Sequence, residues 1–154
     1  GRVVSQILKD NKSREFILGG RPDIVIEFEA GGYGIIDFKT TKLSETKSED
    51  YKFQLEAYAQ IFTKPGSIKK GPTPKLDPIT HMGILQFDPS YIHQHDNEGC
   101  DMKMKMFYSP LTRNEEEFFN HITYVIDILT NPKIPEFTED CNFCSFIEQQ
   151  INIK

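Results

Sequence analysis

Apolar and polar positions alternate most regularly between Asp23 and Glu29, where Ile24, Ile26 and Phe28 fall on one face and Asp23, Val25, Glu27 and Glu29 on the other. That is the period of a β-strand. Ala30-Gly31-Gly32-Tyr33-Gly34 supplies a permissive backbone for a hairpin turn, and Ile35 to Thr40 is the return strand. Upstream, Val3 to Leu8 reads as the end of a helix closed by Lys9-Asp10-Asn11, and Phe16-Ile17-Leu18 as a short strand turned at Gly19-Gly20. Downstream, Tyr51, Leu55, Tyr58, Ala59 and Phe62 recur at helical spacing, with Ser48 or Asp50 as the expected cap.

Lys64 to Pro78 carries Pro65, Gly66, Gly71, Pro72, Pro74 and Pro78, a composition that predicts no regular structure. Ile79 to Phe87 is a strand, central in the sheet and ended by Asp88-Pro89-Ser90. Met102, Met104 and Met106 alternate with Lys103 and Lys105, the pattern of a half-exposed strand. Thr112-Arg113-Asn114-Glu115 reads as a capping box. Phe118, Phe119, Ile122, Val125, Ile126 and Leu129 then form the apolar stripe of a helix ending near Thr130. Strands grouped before and between helices predict an α/β sandwich, a central mixed sheet flanked by helices.

At 154 residues the chain is expected to form one domain, possible as a fragment of a longer protein, its N-terminal helix incomplete. No apolar run has the ~20 residues of a membrane span, and no signal peptide is evident, so the chain reads as intracellular: cytoplasmic, or nucleoid-associated in a bacterium or phage system. Three cysteines lack the spacing of a disulfide framework. The net charge of -5 argues against wrapping nucleic acid by bulk attraction. The charge is uneven, however: Lys64, Lys69, Lys70 and Lys75 lie together, while acids cluster at 45–50, 115–117 and 136–140.

Asp37 and Lys39 stand two apart on a predicted strand, so both side chains leave one face. An Asp-x-Lys on a strand is often a solvated pair of small worth. Here the acid interrupts the apolar run Ile35-Ile36-Asp37-Phe38, where an unpaired carboxylate is costly. Phe38 is expected to point into the core, with its backbone carbonyl facing the site. Asp23, across the hairpin, can reach the same edge. Asp23, Asp37 and the Phe38 carbonyl form an all-oxygen donor set suited to Mg²⁺ or Mn²⁺, with the Lys39 ammonium beside it. Gln54 and Tyr58, four apart on a helix face, can both donate to phosphate oxygens. These residues suit metal-assisted hydrolysis of a phosphodiester. A zinc site from Cys100, Cys141, Cys144 and a histidine is the weaker reading, because a single Cys-x-x-Cys specifies little. His93 and His95 fit a surface loop, and no glycine-rich phosphate loop is present.

Gly20-Arg21-Pro22-Asp23, then Ile36-Asp37-Phe38-Lys39-Thr40, then Gln54 through Tyr58 resembles the ordered motifs of the PD-(D/E)XK nucleases, most closely their RecB-like exonuclease branch. The resemblance implies a restriction-endonuclease-like sandwich. It implies Asp23 and Asp37 as metal ligands, Lys39 as the catalytic lysine, and Gln54 and Tyr58 as substrate contacts or braces. The implied activity is Mg²⁺- or Mn²⁺-dependent, exonuclease-like cleavage of DNA in repair, recombination or phage and defence DNA processing, with a helicase or another subunit as partner and no membrane. Relatives commonly draw a further acid or histidine from a preceding helix, whereas Val3–Leu8 offers only Gln6. Iron–sulfur members need four thiolates, so no iron–sulfur cluster is expected from three cysteines. The alternative is a catalytically impaired member acting as a nucleic-acid-binding or scaffold module.

Overall fold

The structure is a computed structural model that describes residues 1–43, 46–69, 71–95, 99–133, 141, 143, 146 and 147, with backbone alone at 46, 47 and 95. The expectations that involve Cys144 and the acids at 136–140 lie outside the described residues.

The Asp23–Glu29 alternation yields a strand over Ile24–Glu27, preceded by four two-residue strands: β1 (Val3–Val4), β2 (Leu8–Lys9), β3 (Glu15–Phe16) and β4 (Gly19–Gly20). Ile24–Glu27 is therefore β5, and it pairs antiparallel with β6 (Tyr33–Thr40). Gly31 and Gly32 turn the hairpin at φ 91° and 84°, a region that costs residues with a Cβ. A 3₁₀ turn (Thr46–Tyr51) leads into α1 (Lys52–Thr63). After the short pair β7 (Ser67–Ile68) and β8 (Gly71–Pro72) come β9 (Ile79–His95), β10 (Gly99–Leu111) and α2 (Glu115–Thr130). The main sheet is four-stranded and mixed, in the order β10-β9-β6-β5. Only the β6–β9 pair is parallel, with α1 in the crossover.

In-register partners share a face, so Ile35, Met82 and Ile84 project toward α1. They pack with Leu55, Tyr58, Ala59, Ile61 and Phe62 into the core. The second helix lies outside α1 and against the β2–β3 hairpin. Phe118 is buried there, Phe119 meets Phe16 edge-on, and Arg14 and Lys12 bridge to Asp127. The opposite sheet face is open among the described residues: Ile24, Phe38, Tyr108 and Met106 are exposed on it.

Several local expectations change. Val3–Leu8 is not the remnant of a helix. Its backbone is taken by distant partners, Ser5 N–H donating to Leu18 O and Gln6 N–H to Lys64 O, which leaves no bonds for a helical ladder. Gly19-Gly20 is a strand paired with β1 rather than a turn. The cap position of α1 is Tyr51 with no side-chain bond, because the 3₁₀ turn runs straight into the helix. The second helix is capped by Asn114, which accepts from Glu117 N–H at 3.0 Å, rather than by Thr112. The proline-rich stretch contains the β7–β8 pair.

The ninth strand does not stop at Asp88-Pro89-Ser90. It runs on to His95, so His93 lies in a strand rather than a loop, and the register slips opposite Lys103/Met104, leaving Ser90 without a ladder partner. Pro89 is tolerated because its strand has lost β6 as a neighbour beyond Phe87. Phe38 does leave the sheet on the face away from Asp37, but into the open face rather than a core: it is 38% exposed and edge-on to Phe87.

The packing makes a graded prediction. Phe118→Ala, at a side chain 1% exposed, should cost about 3–5 kcal/mol in equilibrium urea unfolding. Met106→Ala, at a side chain 67% exposed, should stay within about 0.5 kcal/mol.

Candidate active site

Alternation along β6 brings Asp37 and Lys39 out on the α1 side with Ile35. There Asp37 is 2% exposed. The Lys39 ammonium lies 2.5 Å from Asp37 Oδ2, yet off the direction of a hydrogen bond, so Oδ2 is a buried oxygen with an ion-pair neighbour and no directed donor. Burial is the largest influence on this carboxyl and pushes its pKa up. Lys39 works against that shift, and the nearby Asp23 carboxylate adds to it.

Asp23 stands one residue before β5, and its Oδ2 accepts the Phe38 N–H at 2.8 Å. The β5–β6 ladder ends at Ile24↔Ile36, so the Phe38 backbone on that side has no strand partner from β5. A residue's N–H and C=O leave a strand on the same side. The Phe38 carbonyl therefore faces the edge at which Asp23 stands. The hairpin thus places the Asp23 and Asp37 carboxylates and the Phe38 carbonyl near one another.

The helix motif is joined to this group by a continuous polar chain. Lys39 Nζ donates to Gln54 Oε1 at 3.2 Å and lies 4.6 Å from the centre of the Tyr51 ring. Gln54 Nε2 donates to the Tyr58 hydroxyl at 3.0 Å, and that hydroxyl donates to the Arg21 carbonyl at 3.2 Å. Gln54 and Tyr58 spend these polar atoms inside the protein. They tie Lys39 to the segment carrying Asp23, and they do so as braces.

Sequence reasoning missed three features here. Gly20 lies against the Tyr58 ring: a Cβ at Gly20 would stand 2.4 Å from Tyr58 Cε1, so the motif's glycine provides room for the ring rather than an unusual φ. Tyr51 shelters Lys39, although only its helical spacing was visible. Gln86, the register partner of Lys39, is 1% exposed on the same face and donates to Ser109 Oγ at 3.0 Å. A glutamine inside the apolar run Ile84-Leu85-Gln86-Phe87 is the signal that marks it.

A second buried acid, Glu56, is structural. It is 3% exposed and accepts from Gln60, from Arg113 at 2.8 Å and from Asn114 N–H, pinning the start of α2 to α1. The adjoining cavity of 280 Å³ lies along this seam and holds none of the motif residues. Cys100 is exposed and Cys141 half-buried. Among the described residues no group of three or more His, Cys, Asp or Glu side chains converges, so Asp23 and Asp37 stand as a pair. No helix among the described residues is long and apolar enough to cross a membrane.

The PD-(D/E)XK nuclease superfamily model matches residues 4–149. The chain belongs to that superfamily, whose members are generally metal-dependent nucleases, and its mixed sheet with the Asp23–Asp37–Lys39 hairpin is consistent with that fold. No curated protein and no solved structure matches the chain.

Two outcomes test this geometry. A carboxyl whose folded pKa is raised costs stability as pH climbs from its unfolded value through its folded one. Asp37→Asn should therefore raise the metal-free Tm at pH 8 and lose that advantage below the ordinary carboxylate range, measured by calorimetric scans across pH. Gly20→Ala should displace the Tyr58 ring and destabilise by about 1–3 kcal/mol, while Gly20→Ala with Tyr58→Ala recovers part of the loss in a double-mutant cycle.

Proposed function

We propose that the domain is a nuclease that hydrolyses DNA phosphodiester bonds with Mg²⁺ or Mn²⁺, exonuclease-like and of the RecB-like branch. The carrying observation is Asp37 Oδ2: a carboxylate oxygen buried without a directed donor, beside a second carboxylate and an ammonium. The Lys39 ammonium alone offsets two adjacent carboxylates there, and a divalent cation between Asp23 and Asp37 would supply the further positive charge that burial makes valuable. Two carboxylates and a backbone carbonyl suit a hard ion that prefers oxygen. The donor set therefore fits.

Asp23, Asp37 and the Phe38 carbonyl hold the ion in this reading. When bound, the ion supplies Lewis-acid polarisation of a phosphate oxygen and acidifies water. Lys39 places a fixed positive charge where negative charge develops on the phosphate, a preorganised contribution that needs no proton transfer. Gln54 and Tyr58 are positioning residues that hold Lys39 against the Arg21–Asp23 segment. The Gln54–Tyr58 pair supports the RecB-like assignment, and with it work in repair, recombination or phage and defence DNA processing alongside a helicase or other subunit, in the cytoplasm or nucleoid.

A second reading has one specific observation behind it. Among the described residues only two acids meet at the site, which favours a nucleic-acid-binding or scaffold module that has lost its chemistry. Calorimetric titration with Mn²⁺ separates the two, since the nuclease requires site-specific binding that Asp23→Ala removes. Cleavage of labelled DNA completes the test. Asp37→Asn and Lys39→Ala should each lower the Mg²⁺- or Mn²⁺-dependent rate by at least about 10²–10³-fold with far-UV dichroism unchanged. Retained activity in either variant refutes the assignment.

A further inference from the structure

The chain is acidic overall, and seven of its described cations, Lys9, Lys12, Arg14, Lys39, Lys52, Lys64 and Arg113, sit in ion pairs with carboxylates. Three others gather at one place. Arg2, Arg21 and Lys69 line a cleft of 740 Å³ whose floor includes Val4, Ile68 and Pro72 and whose lining contains no Asp or Glu. None of the three side chains has a hydrogen-bond or ion-pair partner among the described residues. Three cationic residues around one concavity, on a chain of net charge -5, concentrate positive charge locally and favour anions there.

The walls are fixed by backbone and side-chain bonds. Gly66 N–H donates to Val4 O at 2.9 Å, Val4 N–H donates to Thr73 Oγ1 at 2.9 Å, and β1 pairs with β4. The cleft also adjoins the candidate active site through one residue. Arg21 lines it, accepts the Tyr58 hydroxyl with its carbonyl, and stands two residues before Asp23.

We propose that this cleft is the track for the substrate strand, in which Arg2, Arg21 and Lys69 hold backbone phosphates flanking the scissile one. The inference rests on the nuclease reading above and adds where the strand lies. Contacts of this kind position a strand without reading its sequence. The cleft therefore selects for chain length, and a small diester that ends at the scissile phosphate does not use it.

The test measures two quantities on the wild type and on the Arg2→Gln/Lys69→Gln double variant. The first is binding of a labelled single-stranded 12-mer in EDTA, followed by fluorescence anisotropy across salt. Each lost phosphate contact flattens the log–log salt slope by about 0.7 for a single strand, so the double variant should lose about 1.4 in slope and about tenfold in affinity at low salt. The second is Mn²⁺-dependent hydrolysis of bis(p-nitrophenyl) phosphate, which should not change. The charge-conserving Arg2→Lys/Lys69→Arg pair should keep the wild-type slope, and equal Tm values exclude misfolding as the cause. A slope unchanged in the double variant, with the wild type still hydrolysing the small diester, overturns the cleft and leaves the nuclease reading standing. A wild type that neither binds the 12-mer nor hydrolyses the diester overturns both.

Discussion

Burial of Asp37 on the middle of β6 governs how the rest of the site is arranged. A carboxylate on the apolar face of a sheet, 2% exposed, resists ionisation unless positive charge stands beside it. Lys39 supplies one such charge from two residues along the strand, but its approach leaves Oδ2 without a directed bond. The fold therefore carries a group that ionises less readily than the same carboxyl in water. Perturbed carboxyls of this kind are common at functional sites, and under the nuclease reading stability and function would be set against each other at this one residue.

The surrounding structure limits how far this arrangement can relax. Lys39 is held by Gln54 and sheltered by Tyr51; Gln54 is held by Tyr58; Tyr58 is anchored on the Arg21 carbonyl and seated against Gly20. The chain of contacts joins α1 to the segment that ends at Asp23, and Asp23 returns to β6 through the Phe38 N–H. Helix, hairpin and connecting segment thus form a closed loop of constraints around the carboxylate pair. Each polar atom in that loop that is given a partner inside the protein is one that need not reorganise when substrate arrives.

Charge elsewhere follows a different logic. Glu56 is as buried as Asp37 but is surrounded by donors from Arg113, Asn114 and Gln60, so it fastens two helices together. Comparing the two acids shows that equal burial hides different surroundings: the distinction lies in how many directed donors reach their oxygens. The same comparison separates the seam beside Glu56, where cations and acids neutralise one another, from the basic cleft at Arg21, where they do not.

Features with a short period were legible in the sequence. Alternation gave β5 and β6, the glycine pair gave their turn, and spacings of two and four placed Asp37 with Lys39 and Gln54 with Tyr58, because a strand and a helix fix those relations locally. What depended on distant chain was not legible. Val3–Leu8 has no helix because Leu18 and Lys64 claim its backbone, β9 outruns its proline because β10 supplies a partner beyond the point where β6 ends, and Gly20 is a glycine because of a tyrosine far along the chain. Local periodicity can name the residues that share a face. Only the tertiary pairing decides which oxygens find a donor, and that decided which of two buried acids keeps an oxygen without a directed hydrogen bond.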